Sequence, residues 1–378
     1  MRKTQKRLDN LKTDKENEGI KMKTKMICII VISVLTLLIA GWWIFCVVMY
    51  NATFNVRCKA DPTLMLRAED FEGLQYEEYT FASNKGQKLA GRLYSTGEDQ
   101  KGIVIIAHGF GAGHNAYMDA AYYFAQNGYY VFAYDATGCE NSQGDGVGGV
   151  PQGVIDLDYA ISFVEANEDI PNLPIVLFGH SWGAYSASAV LTYHPEVKGV
   201  VACAGFNRSS DMFESGGKSQ VGAILYAMTP FVRVHEQAQY GKYASNTAMD
   251  GFETAKETSI MIVHSADDSV IGIEYGYDKY YEKYKDDSRF VFMRFEDKGH
   301  NYMLKEANNT YKKETDAKFG EWLKTLGYDH SLKENKERFQ EDRAQWIKEN
   351  LDRVRYDGLL DENLFAQFLD FYNQAIQQ

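Results

Sequence analysis

Proline is scarce in this chain of 378 residues, with only six, and cysteine is scarcer still, with five. So little proline, beside 45% hydrophobic and 14% aromatic residues, excludes a disordered or collagen-like chain. Cys28, Cys46, Cys58, Cys139 and Cys203 are too few and too scattered for a disulfide scaffold. No two of them have the C-x-x-C spacing of a zinc or redox site. His108 and His114 lack a third ligand in register, so no metal site is expected. Excess basic charge is missing as well. Forty Lys and Arg against 52 Asp and Glu give a net charge of −12, which argues against a nucleic-acid partner. Nor is there a fixed-period repeat, which excludes a solenoid.

What the chain does have is one long uncharged run, the 25 residues from Met26 to Tyr50. About 20 suffice to span a bilayer as a helix. A cleaved signal peptide would have a shorter apolar stretch and a small-residue cleavage site, and neither is evident here. Residues 26–50 therefore read as a transmembrane anchor in contact with the lipid bilayer, preceded by a basic tail, 1–25. Seven Lys or Arg lie in residues 6–25 and three in residues 51–70. This asymmetry predicts a cell-membrane, single-pass protein with a cytoplasmic amino terminus and an extracytoplasmic body. Of the cysteines, only Cys58, Cys139 and Cys203 then meet an oxidising milieu. Three cannot all pair with one another, and Cys203 lies in an apolar strand-like run, so stabilisation by disulfides is not expected.

Residues 51–70 read as a linker. Beyond them, short apolar runs alternate with helical stretches: GIVIIAH (102–108), YYVFAYD (129–135), PIVLFGH (174–180), VKGVVACAG (197–205), TSIMIVHSA (258–266) and RFVFMRFE (289–296). Such alternation predicts an α/β fold, a mostly parallel sheet with helices on both faces. Residues 71–205 and 259–327 form its core. The stretch 206–258 is too long for a simple connection and reads as a cap insertion. Residues 328–378 form a C-terminal helical extension, whose apolar stripe is expected to dock on its own domain.

The chemistry concentrates at Gly179-His180-Ser181-Trp182-Gly183, a G-x-S-x-G pattern between an apolar strand and a helix. Small residues there permit the sharp turn that exposes a serine hydroxyl. Serine needs a base, and the base needs an acid to hold it. His300, on a loop opened by Gly299, is the candidate base. His180 should point to the opposite side of the turn, and His264 lies within a strand. Asp267 and Asp268 follow that strand, and either could supply the acid. The oxyanion donors are expected to be the backbone N–H groups of Trp182 and Phe110, the latter in the glycine-rich turn His108-Gly109-Phe110-Gly111. His108 reads as a turn-stabilising residue.

HGFG (108–111), GHSWG (179–183), HSADDSVI (264–271) and GHN (299–301), in this order, resemble the motifs of the α/β-hydrolase superfamily over roughly Phe71 to Gly327. YDATGCENSQGD (134–145) is similar to a further loop of the family, with alanine where arginine is usual. The nearest resemblance is to bacterial membrane-anchored hydrolases of the serine aminopeptidase/lysophospholipase-like type. It implies an α/β-hydrolase fold and aligns Asp268, not Asp267, with the acid of a Ser181–His300–Asp268 triad. The resulting expectation is a cofactor-independent serine hydrolase acting on a small-molecule acyl ester. Amide or peptide hydrolysis stands second, and a catalytically silent binding protein third.

Overall fold

The computed structural model describes residues 2–97, 100–306 and 309–377, with side chains from Glu18 onward except Ser219 and Gln220. It comprises two compact units, Met1–Met49 and Tyr50–Gln378. The first holds most of helix α1 (Arg2–Phe54). Among the described residues, this helix alone is long and apolar enough to cross a membrane.

The second unit is built on an eight-stranded sheet. Its strands are β1 (Gln75–Ala82), β2 (Lys88–Ser95), β3 (Ile103–Ala107), β4 (Tyr130–Tyr134), β5 (Ile175–His180), β6 (Gly199–Cys203), β7 (Ser259–Ser265) and β8 (Phe290–Phe295). Their order is β1-β2-β4-β3-β5-β6-β7-β8. The β1–β2 and β2–β4 pairs are antiparallel, and every later pair is parallel. This is the α/β-hydrolase architecture. Strands β3, β5, β6 and β7 are buried along their whole lengths. Covered on both faces, they carry continuous apolar runs rather than the alternation of a half-exposed sheet.

Helices α2 (Met118–Gln126), α3 (Gln152–Ala166) and α4 (Trp182–Ala189) follow β3, β4 and β5 in turn. Four helices fill the connection from β6 to β7: α5 (Ser209–Val221), α6 (Ile224–Tyr240), α7 (Lys242–Ser245) and α8 (Ala248–Thr254). Helix α9 (Tyr277–Tyr284) precedes β8, and α10 (Thr310–Thr325), α11 (Lys336–Asn350), α12 (Arg353–Asp357) and α13 (Glu362–Ala375) close the chain.

Helix α13 sits in the core. Phe365, Phe368 and Tyr372 are fully buried, and Phe365 lies 5.6 Å from Phe124 of α2 and 5.9 Å from Phe178 of β5, ring centre to ring centre. The Tyr372 hydroxyl donates to the Leu177 carbonyl at 2.7 Å, which satisfies its one polar atom within the apolar layer. The apolar stripe of the tail thus docks on its own domain. Residues 51–70 depart from the expected linker: Phe54, Cys58, Leu66 and Ala68 are buried, and the stretch belongs to the body. Its apolar side chains, spaced too irregularly to suggest an element, hold it there.

Candidate active site

Ser181 lies between the end of β5 and the start of α4 with φ of +57°, a conformation that costs a non-glycine residue energy. Its N–H donates to the Cys203 carbonyl at 2.8 Å, which fixes the turn against β6. The flanking glycines are sterically required. A Cβ on Gly179 would overlap the Gly183 carbonyl, and one on Gly183 would overlap the Ala107 carbonyl of β3. Trp182 is buried, and its indole N–H donates to Val150 O at 2.7 Å.

The loop after β8 carries His300 to this turn. The Ser181 hydroxyl lies 2.9 Å from His300 Nε2, and His300 Nδ1 lies 2.7 Å from Asp268 Oδ2. All three residues are nearly buried, and Ser181 and His300 line a cleft of about 1030 Å³. Asp268 Oδ1 accepts the Val270 and Ile271 N–H groups, both at 2.9 Å. Burial by itself would raise the Asp268 carboxyl. The hydrogen bonds from His264 and His300, the charge on His300 and the Ile271 N–H hold it instead well below the usual carboxylate range. Asp267 points elsewhere: its Oδ1 takes the Ser265 hydroxyl at 2.6 Å and the Gly299 N–H at 2.8 Å, pinning the turn that presents His300.

Two histidines do more than their positions suggested. His264 Nε2 reaches Asp268 Oδ2 at 3.2 Å and the Ile271 carbonyl at 3.0 Å, so this strand residue braces the carboxylate from below. His180 does not turn away from the site. Its ring lies 4.9 Å from that of His300, and its Nε2 donates to the His300 carbonyl at 2.9 Å. Its Nδ1 must then accept the Tyr117 hydroxyl proton at 2.9 Å, while that hydroxyl accepts the Gly109 N–H at 3.0 Å. Burial, then the positive charge of His300, pushes His180 down to about 4, which keeps it neutral in this chain of bonds. The chain joins the Gly109 turn to the His300 loop. Sequence spacing carries no sign of it, because Tyr117 lies 63 positions before His180.

Phe110 and Trp182 meet at the same edge, with ring centres 5.5 Å apart. The Trp182 N–H opens α4, where an amide has no partner within its own helix. Among the described residues, the Phe110 N–H has no protein acceptor. His108 braces the turn: Nδ1 donates to Gly109 O at 2.8 Å, and Nε2 accepts the Ala136 N–H at 3.0 Å. His114 is paired with Asp135 at 2.7 Å and shares no ligand geometry with His108. Among the described residues, Glu165, His194 and Glu196 bring potential metal-ligand atoms together, but they lie apart from the cleft and His194 is occupied by Asp158 and Glu196.

Residues 98–251 match the family described as Serine aminopeptidase, S33. The chain has the α/β-hydrolase fold. A Monoacylglycerol lipase of Mycolicibacterium smegmatis is 29% identical over 106 residues, which make up 28% of this chain and 38% of that lipase. The chain thus spans well under half the length of the curated relative it matches. An esterase of Pyrococcus furiosus superposes with a TM-score of 0.52 at 18% identity, covering 72% of this chain and 97% of the other. A second crystal form of that esterase gives 0.51. At this identity the likeness is one of fold.

Other segments of the chain complete the cleft. Met212 of α5, Val270, Lys305, Arg353, Tyr356 and Leu360 line it alongside Ser181. Phe213 and Met228 of the 206–258 insertion are buried and do not face the cleft. Phe213 instead packs 6.4 Å from Phe54, ring centre to ring centre.

Proposed function

We propose that the protein is a membrane-anchored, extracytoplasmic serine hydrolase that cleaves carboxylic esters through Ser181, His300 and Asp268. The observation that carries this reading is the unbroken chain of two hydrogen bonds, 2.9 Å and 2.7 Å, from a strained serine at the cleft to a buried carboxylate. The Ser181 hydroxyl attacks the acyl carbonyl while His300 Nε2 takes its proton. Asp268 holds the Nδ1–H tautomer and favours the imidazolium that forms. The N–H groups of Phe110 and Trp182 receive the developing oxyanion. His300 then protonates the leaving alcohol, and water releases the acyl group by the same route in reverse. No step needs a metal or other cofactor.

An ester rather than an amide is favoured by the partial likeness to a monoacylglycerol lipase. The serine aminopeptidase description of the matched family supports amide hydrolysis as the second reading. A silent binding protein is disfavoured, since every group of the triad is in bonding contact. Helices α5–α8 are read as the cap, acting on the substrate through Met212. The anchor, residues 26–50, and the Lys/Arg asymmetry across it support the membrane placement.

A fluorophosphonate probe should label the folded protein at Ser181, and Ser181→Ala should abolish labelling. A panel of p-nitrophenyl esters and aminoacyl amides should then show turnover of the esters. Folded wild-type protein without an adduct would sink the catalytic reading, and preferential amide turnover would replace ester with peptide chemistry. Protease added to intact cells should digest the body; protection until the membrane is opened would reverse the topology.

A further inference from the structure

Cys58 and Cys139 stand 81 positions apart in sequence and meet in space. The Cys58 N–H donates to Gly138 O and the Glu140 N–H donates to Cys58 O, both at 2.9 Å. These two bonds pair Cys58 directly with Cys139 in parallel register. Paired residues on adjacent extended segments lie about 4.7–4.9 Å apart at Cα, within the roughly 4.4–6.8 Å that a disulfide spans. In register, their side chains leave the same face. The two sulfur groups already interact: the contact lowers the Cys58 thiol and raises that of Cys139, which burial raises further. Cys139 is fully buried and Cys58 is 5% exposed, so in the folded protein each has the other as its nearest partner and little access to an outside thiol. Both are thiols in this structure, as is Cys203.

We propose that Cys58 and Cys139 are a disulfide-forming pair, which ties the segment leaving α1 to the loop after β4. The bond forms as the chain folds, before the pair is buried: the Cys58 thiolate attacks one sulfur of a disulfide oxidant, such as oxidised glutathione, and the first glutathione leaves as its thiolate. The Cys139 sulfur then displaces the second. The protein thiols lose two electrons and two protons, and the oxidant becomes two thiols. The bond lies next to the proposed oxyanion turn. Phe54, four residues before Cys58, packs edge-on against Phe110, ring centres 5.5 Å apart. Closing so long a loop restricts the unfolded chain strongly. The proposal is independent of the catalytic reading.

The test uses the full chain, refolded from denaturant in detergent with either oxidised glutathione or a thiol reductant, then denatured in an alkylating agent and mapped without reduction. The oxidised sample should give one linked peptide pair containing Cys58 and Cys139, with Cys28, Cys46 and Cys203 alkylated. Its Tm should exceed that of the reduced sample by several degrees, and Cys139→Ser should abolish the difference. Alkylation of Cys58 and Cys139 in the oxidised wild-type protein, or a link from either to another cysteine, would overturn the proposal. Should the serine variant fail to fold, the wild-type peptide map alone decides.

Discussion

Replacing Asp268 by asparagine removes one charge and leaves the side chain almost the same size, so its effect isolates what the carboxylate does for His300. In the native protein Oδ1 is held by two backbone N–H groups at 2.9 Å, and Oδ2 faces His300 Nδ1 at 2.7 Å. An asparagine oxygen would stay with the two N–H donors. Its NH₂ would then face Nδ1, which must become an acceptor, and the ring proton would move to Nε2. That tautomer cannot take a proton from Ser181. In serine proteases the equivalent change costs about 10⁴-fold in kcat, or about 5 kcal/mol of barrier.

The hypothesis is that Asp268→Asn lowers kcat on an activated ester by three to four orders of magnitude (roughly, by the same analogy), with unchanged secondary structure. Asp267→Asn is the matched control. Asp267 is an acceptor for Ser265 and Gly299, and the asparagine oxygen can keep both bonds. It should retain activity within a few-fold. Steady-state kinetics on a p-nitrophenyl ester decides between them, and a reversed ranking would move the orienting acid to Asp267.

Tyr117→Phe removes both the acceptor of the Gly109 N–H and the donor to His180. It should lower kcat about tenfold with KM nearly unchanged, since it loosens the oxyanion turn and the His300 loop together; a change confined to KM would refute this. Phe365→Ala, which empties a site between α13, α2 and β5, should cost about 3–5 kcal/mol in urea unfolding, and a loss below 1 kcal/mol (roughly) would show that α13 is not part of the core. Glu236, buried and bonded to the Tyr50 and Ser209 hydroxyls at 2.6 Å, is pushed up from 4.5 to about 7, chiefly by burial. The folded state holds that proton more tightly, so its contribution is present below pH 4.5 and is lost as pH rises through 7. Tm should therefore fall across that interval by the equivalent of about 3 kcal/mol, and Glu236→Gln should flatten the profile; an unchanged slope in the variant would assign the effect to other groups.

The parallel sheet was legible because β3, β5, β6 and β7 are buried on both faces and hence uniformly apolar. The serine turn was legible for a related reason. Gly179 and Gly183 are dictated by contacts one strand and one helical turn away, so steric need is written locally. Segment 51–70 was misjudged because its buried side chains are spaced by the surface they meet rather than by a helix or strand period. His264 and His180 were set aside on strand direction and turn geometry alone. Their partners, Asp268, Tyr117 and the His300 carbonyl, come from other parts of the chain, and a sequence read one segment at a time does not show which of these meet.

That division has a physical basis. The groups proposed to react sit at the carboxyl edge of the sheet, and a short motif encodes the turn that puts each of them there. The geometry between motifs is fixed by a second set of bonds, from Gly109 through Tyr117 and His180 to the His300 carbonyl, and from Asp267 to Gly299. Each of those bonds tethers a reactive loop to its neighbour, and together they remove freedom that would otherwise be lost when substrate binds. Pushed down to about 4 by burial, His180 stays neutral above that value beside the imidazolium that His300 forms in the proposed mechanism. A charged residue in its position would repel the imidazolium or compete for Asp268. On the proposed mechanism, a neutral His180 holds the His300 loop in place without competing for its carboxylate.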